Sequence, residues 1–99
     1  MTSQKYILTK DHEIKEEHDL LSWAKWFESI ENRRVGWTII GKTKVSTVFL
    51  GLDYNFGPGA PLLFETMVFG GKRDEEQYRY TTWKEAEKGH KKVVASLKS

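Results

Sequence analysis

Ninety-nine residues suit one domain, spanning residues 1–99, and leave no room for a second core. The chain has no cysteine, which excludes disulfides, thiolate metal sites and a thiol nucleophile. Its net charge of +2 is too small to point to nucleic acid.

Four Trp, four Tyr and five Phe let a few large rings build much of a small core. A small secreted domain often needs disulfide staples, so their absence favours the cytoplasm. The start, Met1-Thr2-Ser3-Gln4-Lys5, leads into only three apolar residues. That pattern fits neither a signal peptide nor a membrane span.

Tyr6-Ile7-Leu8 reads as a short first strand, and polar residues 10–18 as a loop. Asp19 is a good N-cap for a helix running to about Glu31. Leu20, Trp23, Ala24, Phe27 and Ile30 fall on one helical stripe, with Trp26 at its border. Asn32-Arg33-Arg34 ends the helix with cations near its negative pole.

Val35 to Ile40 reads as a strand with Val35, Trp37 and Ile39 on one face. A turn at 41–44 leads to a strand from Val45 to Leu52, apolar on both faces. Two-sided apolarity predicts a central strand covered on at least part of each face. Asp53 to Pro61 is a loop by its Gly and Pro content. Leu62 to Phe69 is a further two-sided strand, followed by a polar turn at 70–76 and a strand from Gln77 to Thr81. Thr82-Trp83-Lys84-Glu85 fits the capping box, in which Thr and Glu satisfy two free N–H groups at a helix start. That helix carries Trp83, Ala86, His90, Val93 or Val94, and Leu97 on one face.

The expected fold is α+β in the order β-α-β-β-β-β-α: an antiparallel sheet of four to five strands with two amphipathic helices. Both helices are placed on one face, because Gly36, Ser46 and Arg79 dilute the other. Acids cluster at 11–19 and lysines in the last dozen residues, which matches helix-dipole complementarity.

Glu65 lies mid-strand on the face assigned to Leu63, Met67 and Phe69. A buried carboxylate is costly unless paired or protonated. It reads either as a general base or ligand anchor with a raised pKa, or as a Glu cross-strand from Arg79 or a Thr. His90 sits on the apolar face of the last helix beside Gly89. A helical Gly costs about 1 kcal/mol against Ala and marks close backbone approach. His90 reads either as half of a His–carboxylate pair with Glu65, or as a core histidine satisfied by a backbone carbonyl. Asp53, Tyr54, Asn55 and Phe56 read either as a recognition surface or as an Asx-type turn with rings folded over the core. Tyr80 and Trp83 complete the candidate interaction residues.

No catalytic set stands out. His12 and His18 lie among acids at a spacing that fits no zinc template, so no metal or cofactor is expected. Gly70-Gly71 lacks the phosphate-loop pattern. Lys88, Lys91 and Lys92 lack interleaved aromatics, which again argues against nucleic acid.

The segments Val45-Ser46-Thr47-Val48-Phe49-Leu50-Gly51-Leu52-Asp53, Leu62 through Gly71, and Tyr80 through His90 together resemble a widespread family of small bacteriophage and prophage proteins. Trp23-Ala24-Lys25-Trp26-Phe27-Glu28 resembles it too, so the likeness covers roughly residues 19–95. The resemblance implies a setting, the cytoplasm of an infected host, and no reaction. Three functions follow as expectations. The first is a binding module for a host protein or small ligand, with an anti-defence role in view. The second is a virion or replication accessory that self-associates through exposed aromatics. The third is a small acid–base enzyme using Glu65 and His90.

Overall fold

The structure, a computed structural model, describes residues 4–98. Residues 1–3, on which the reading of the N-terminus partly rests, lie outside the described residues. The order is β1 (Tyr6–Leu8), β2 (Ile14–Glu16), α1 (Leu20–Phe27), the single turn α2 (Ile30–Arg33), β3 (Arg34–Ile40), β4 (Thr43–Phe49), β5 (Phe64–Phe69), β6 (Gln77–Tyr80) and α3 (Trp83–Lys98). β3 to β6 form one antiparallel meander in sequence order, and β1–β2 form a separate hairpin. The fold is α+β, as expected. Among the described residues no helix is long and apolar enough to cross a membrane.

Strand alternation sets the two faces of the sheet. Val45, Thr47 and Phe49 of β4 register with Val68, Thr66 and Phe64 of β5, and all six are fully buried. α3 lies across this face and touches all four strands. Its buried residues, Ala86, His90 and Val93, recur at helical spacing. Val45, Val68 and Val93 pack with Val94 and Leu97 at one end. Phe49, Leu63, Phe64 and Ala86 pack at the other with Tyr6 and Leu8 of β1. Trp26 of α1 meets Phe49 edge-on at 5.7 Å, and the Trp23 indole N–H donates to the Tyr6 carbonyl at 3.0 Å. The hairpin and α1 therefore close the same face beside the start of α3.

Both predicted caps form. The Ser22 amide donates to Asp19 at 3.0 Å. The Glu85 amide donates to Thr82 Oγ1 at 3.1 Å, and the Thr82 amide returns to Glu85 Oε1 at 3.2 Å. Other expectations need correction. Residues 10–18 are not all loop, because β2 pairs with β1 there. The helix from Asp19 breaks at Glu28–Ser29, where Asn32 and Arg33 side chains cap the Trp26 and Phe27 carbonyls. Its stripe is only partly used: Leu20 and Ile30 are exposed, while Trp23, Trp26 and Phe27 pack. β4 stops at Phe49, and Leu52 keeps only an isolated bridge to Lys5. β5 starts at Phe64, so buried Leu63 does not share a face with Glu65. A bulge between Arg34 and Gly36 turns Val35 toward the core and away from Trp37. Gly36 lies on the covered face, so it does not dilute the other.

Two glycines make the helix–sheet contact possible. A Cβ on Gly36 would lie 2.8 Å from the His90 ring. A Cβ on Gly89 would run into the Tyr80 phenol ring. Gly89→Ala gains about 1 kcal/mol of helix propensity. Overpacking against Tyr80 costs about 1–3 kcal/mol or more. We therefore expect Gly89→Ala to lower stability in urea titration, the reverse of an exposed helical Gly→Ala change.

Candidate functional site

His90 is 8% exposed and sits in a chain of side-chain hydrogen bonds between α3 and the sheet. Its Nδ1 meets Thr47 Oγ1 at 2.7 Å, and its Nε2 meets Thr38 Oγ1 at 2.8 Å. Thr47 meets Thr66 at 2.6 Å, and the Tyr80 hydroxyl donates to Thr66 at 3.0 Å. Burial pushes the Tyr80 phenol up, so it stays a donor. Each threonine hydroxyl can both donate and accept, so the line satisfies either neutral tautomer of His90. Burial also holds its pKa below the usual histidine value. His90 is thus a satisfied core histidine, though threonine hydroxyls serve it where a backbone carbonyl was expected.

Glu65 faces the other way. It pairs cross-strand with Arg79, whose Nε donates to Glu65 Oε2 at 3.1 Å. The carboxylate belongs to the sheet face opposite α3, and the imidazole lies beneath α3. The sheet separates the two groups, and the expected His–carboxylate pair does not exist.

The face that holds Glu65 is open. Alternation places Trp37 and Ile39 of β3, Lys44, Ser46 and Val48 of β4, and Met67 and Phe69 of β5 on it. Trp37 is 44% exposed, and Phe69 is 42% exposed. The reading of β4 and β5 as covered on both sides is therefore corrected: their second apolar face meets solvent. Arg34 stands over the Trp37 ring at 5.4 Å. Arg79 stands over the Tyr54 ring at 4.8 Å, which brings the 53–61 loop to the border of this face.

That loop combines the two expected arrangements. Asp53 Oδ1 accepts from the Asn55 amide at 2.7 Å and the Leu62 amide at 2.9 Å, an Asx-type turn. Asn55 braces the loop through the Pro58 and Ala60 carbonyls. The rings do not fold over the core: Tyr54 is exposed and Phe56 is 92% exposed. Trp83, in contrast, is structural. It lies edge-on to Phe64 and stacks on His12 at 3.7 Å.

Shallow grooves run along both sides of α3. One, about 320 Å³, is lined by Arg73, Tyr78, Tyr80, Gly89 and Lys92. Within it Arg73 is already engaged, donating to Glu76 at 2.9 Å and to Ser96 at 2.8 Å. The other, about 310 Å³, is lined by Thr38, His90 and Lys91. Among the described residues no group of three or more His, Asp or Glu side chains is placed to hold a metal ion.

The sequence reading found Tyr54 and Phe56 but missed Trp37, Ile39, Phe69, Arg34 and Lys44. Their signal was the alternation along β3 and β5, which says that residues share a face but not whether that face is covered. No family model, no curated protein and no solved structure matches this chain.

Two outcomes test the buried network. Thr47→Val leaves His90 Nδ1 without its hydrogen-bond partner and should cost about 1–3 kcal/mol in chemical denaturation. The pH dependence follows from the depressed His90 pKa. The unfolded chain takes up the proton as pH falls through its ordinary value of 6.5, while the folded state resists. The His90 contribution is therefore complete above that pH and is lost progressively below it. Unfolding curves across this range should show the loss, and His90→Gln should flatten it.

Proposed function

We propose that this chain is a non-catalytic binding module that recognises a macromolecule through the open face of its sheet. One observation carries the reading: Trp37, Ile39 and Phe69 stand exposed together on one face of the sheet, and Phe56 is exposed in the adjoining loop. Apolar groups gathered on one face mark interaction sites, whereas scattered ones need no explanation. Rings on a preformed surface also lose little entropy on binding.

The phage setting implied by the sequence resemblance suits a small recognition domain, and an action on a host component belongs to this proposal. The acid–base alternative lacks its geometry, since Glu65 and His90 serve opposite faces. Capture of a small ligand has less support, because both grooves along α3 are shallow and Arg73, in one of them, is already bonded to Glu76 and Ser96. Self-association face to face would bring Arg34 and Lys44 of two copies onto one interface whose only acid, Glu65, is already bonded to Arg79. Like charges at an interface oppose that arrangement.

Photo-crosslinking tests the face without knowledge of the partner. p-Benzoylphenylalanine at Ile39 should yield adducts in cells, and the same group at exposed Leu21 on α1 should not. Equal labelling at both positions, or none at either, would overturn the reading. Trp37→Thr and Phe69→Thr should change stability by only about 0.5 kcal/mol in denaturant, as expected of surface positions.

A further inference from the structure

We propose that the partner of the open face is single-stranded nucleic acid, an inference that rests on the binding-face reading above. The chain's small net charge argues against nucleic acid only if charge is spread evenly, and here it is sorted. The open face holds the cations Arg34, Lys44 and Arg79 and one acid, Glu65, which is already bonded to Arg79. Lys42 lies in the adjoining turn. The acids at 11–19 lie elsewhere, in the β1–β2 hairpin and the approach to α1, while Asp74, Glu75 and Glu76 share the turn after Phe69 with Lys72 and Arg73.

The placement of rings against cations favours bases over a protein surface. A protein hot spot is an apolar centre inside a polar rim. Here β4 puts Lys44 and Ser46 between the rings. Trp37 on β3 and Phe69 on β5 flank them, two strands apart. Strand spacing and one two-residue step separate the rings by roughly 12 Å. They stand as separate platforms with a cation between them. Tyr54, under Arg79, and Phe56 beside it add two further rings at the border of this face.

Unpaired bases stack on exposed rings of this kind, and four-stranded sheets are a recurring support for them. Phosphates passing between the platforms would meet Lys44, Arg34 and Arg79. A duplex keeps its bases stacked on one another and could meet only the cations. The chemistry does not separate RNA from DNA, since ring stacking and phosphate contacts are common to both.

Fluorescence polarisation with labelled oligothymidylate and oligouridylate of about 15 nucleotides tests this, a length within known site sizes. Saturable binding that weakens steeply with salt is expected for at least one of them. Trp37→Ala and Phe69→Ala should each weaken it about tenfold, a typical loss for one stacked base. Trp37→Phe should retain most of the affinity, which guards against a folding defect in the alanine variant. Lys88→Glu with Lys91→Glu, on the far side of the molecule, should change affinity by less than about twofold if the open face is the site. The stronger oligonucleotide identifies the source. Absence of saturable binding to both would overturn the proposal. So would equal binding of duplex with no effect of Trp37→Ala, or loss of binding in the α3 variant. If the oligonucleotides fail while position 39 crosslinks to protein in cells, this inference falls and the binding-face reading stands.

Discussion

The fold depends on one hydrogen-bonded line: Tyr80, Thr66, Thr47, His90 and Thr38, running across the sheet and up into α3. It puts polar groups where a small core would ordinarily be apolar. Each is satisfied, so the low dielectric strengthens the line where an orphaned member would have weakened the fold. Hydrophobic contacts from Ala86 and Val93 hold α3 down, but they permit sliding. Two ring nitrogens meeting two hydroxyls permit one register. Gly36 and Gly89 are the spatial conditions for it, since they leave room for the imidazole and the phenol.

This locking has a consequence for the other side of the sheet. Because α3, α1 and the hairpin all gather on one face, β3 to β6 carry their second set of side chains into solvent. Such a face is rigid by construction: its strands are held from behind by a packed core. Trp37, Ile39 and Phe69 are therefore presented without a loop's entropy, and Arg34 and Arg79 are held against rings. The 53–61 loop adds Tyr54 and Phe56 at the border, and its own side-chain hydrogen bonds keep it in place.

Local chemistry was legible in the residues. Asp19 and Thr82-x-x-Glu85 announced two helix starts, because a cap is a contact between neighbours in sequence. The periodicity of Ala86, His90 and Val93 gave the buried stripe of α3, and the small residue at 89 marked a close approach that Tyr80 makes. The break after Phe27 was hidden, because it depends on Asn32 and Arg33 folding back onto carbonyls of the preceding helix. β2 was hidden too: its polar residues form a strand only because β1 is there to pair with them. The Glu65–His90 pairing failed because apolar surroundings in sequence do not say which side of a sheet a residue serves.

The sequence by itself determined the α+β class, the meander order, both capped helix starts and the inward stripe of the last helix. These follow from periodicity and short-range hydrogen bonding, which act within a few residues. Only the tertiary structure decided which of two apolar strand faces would be covered. Alternation is symmetric between the two sides of a sheet, and the choice is made where α3 docks. That docking turned His90 into a structural lock and left Trp37, Ile39 and Phe69 facing water.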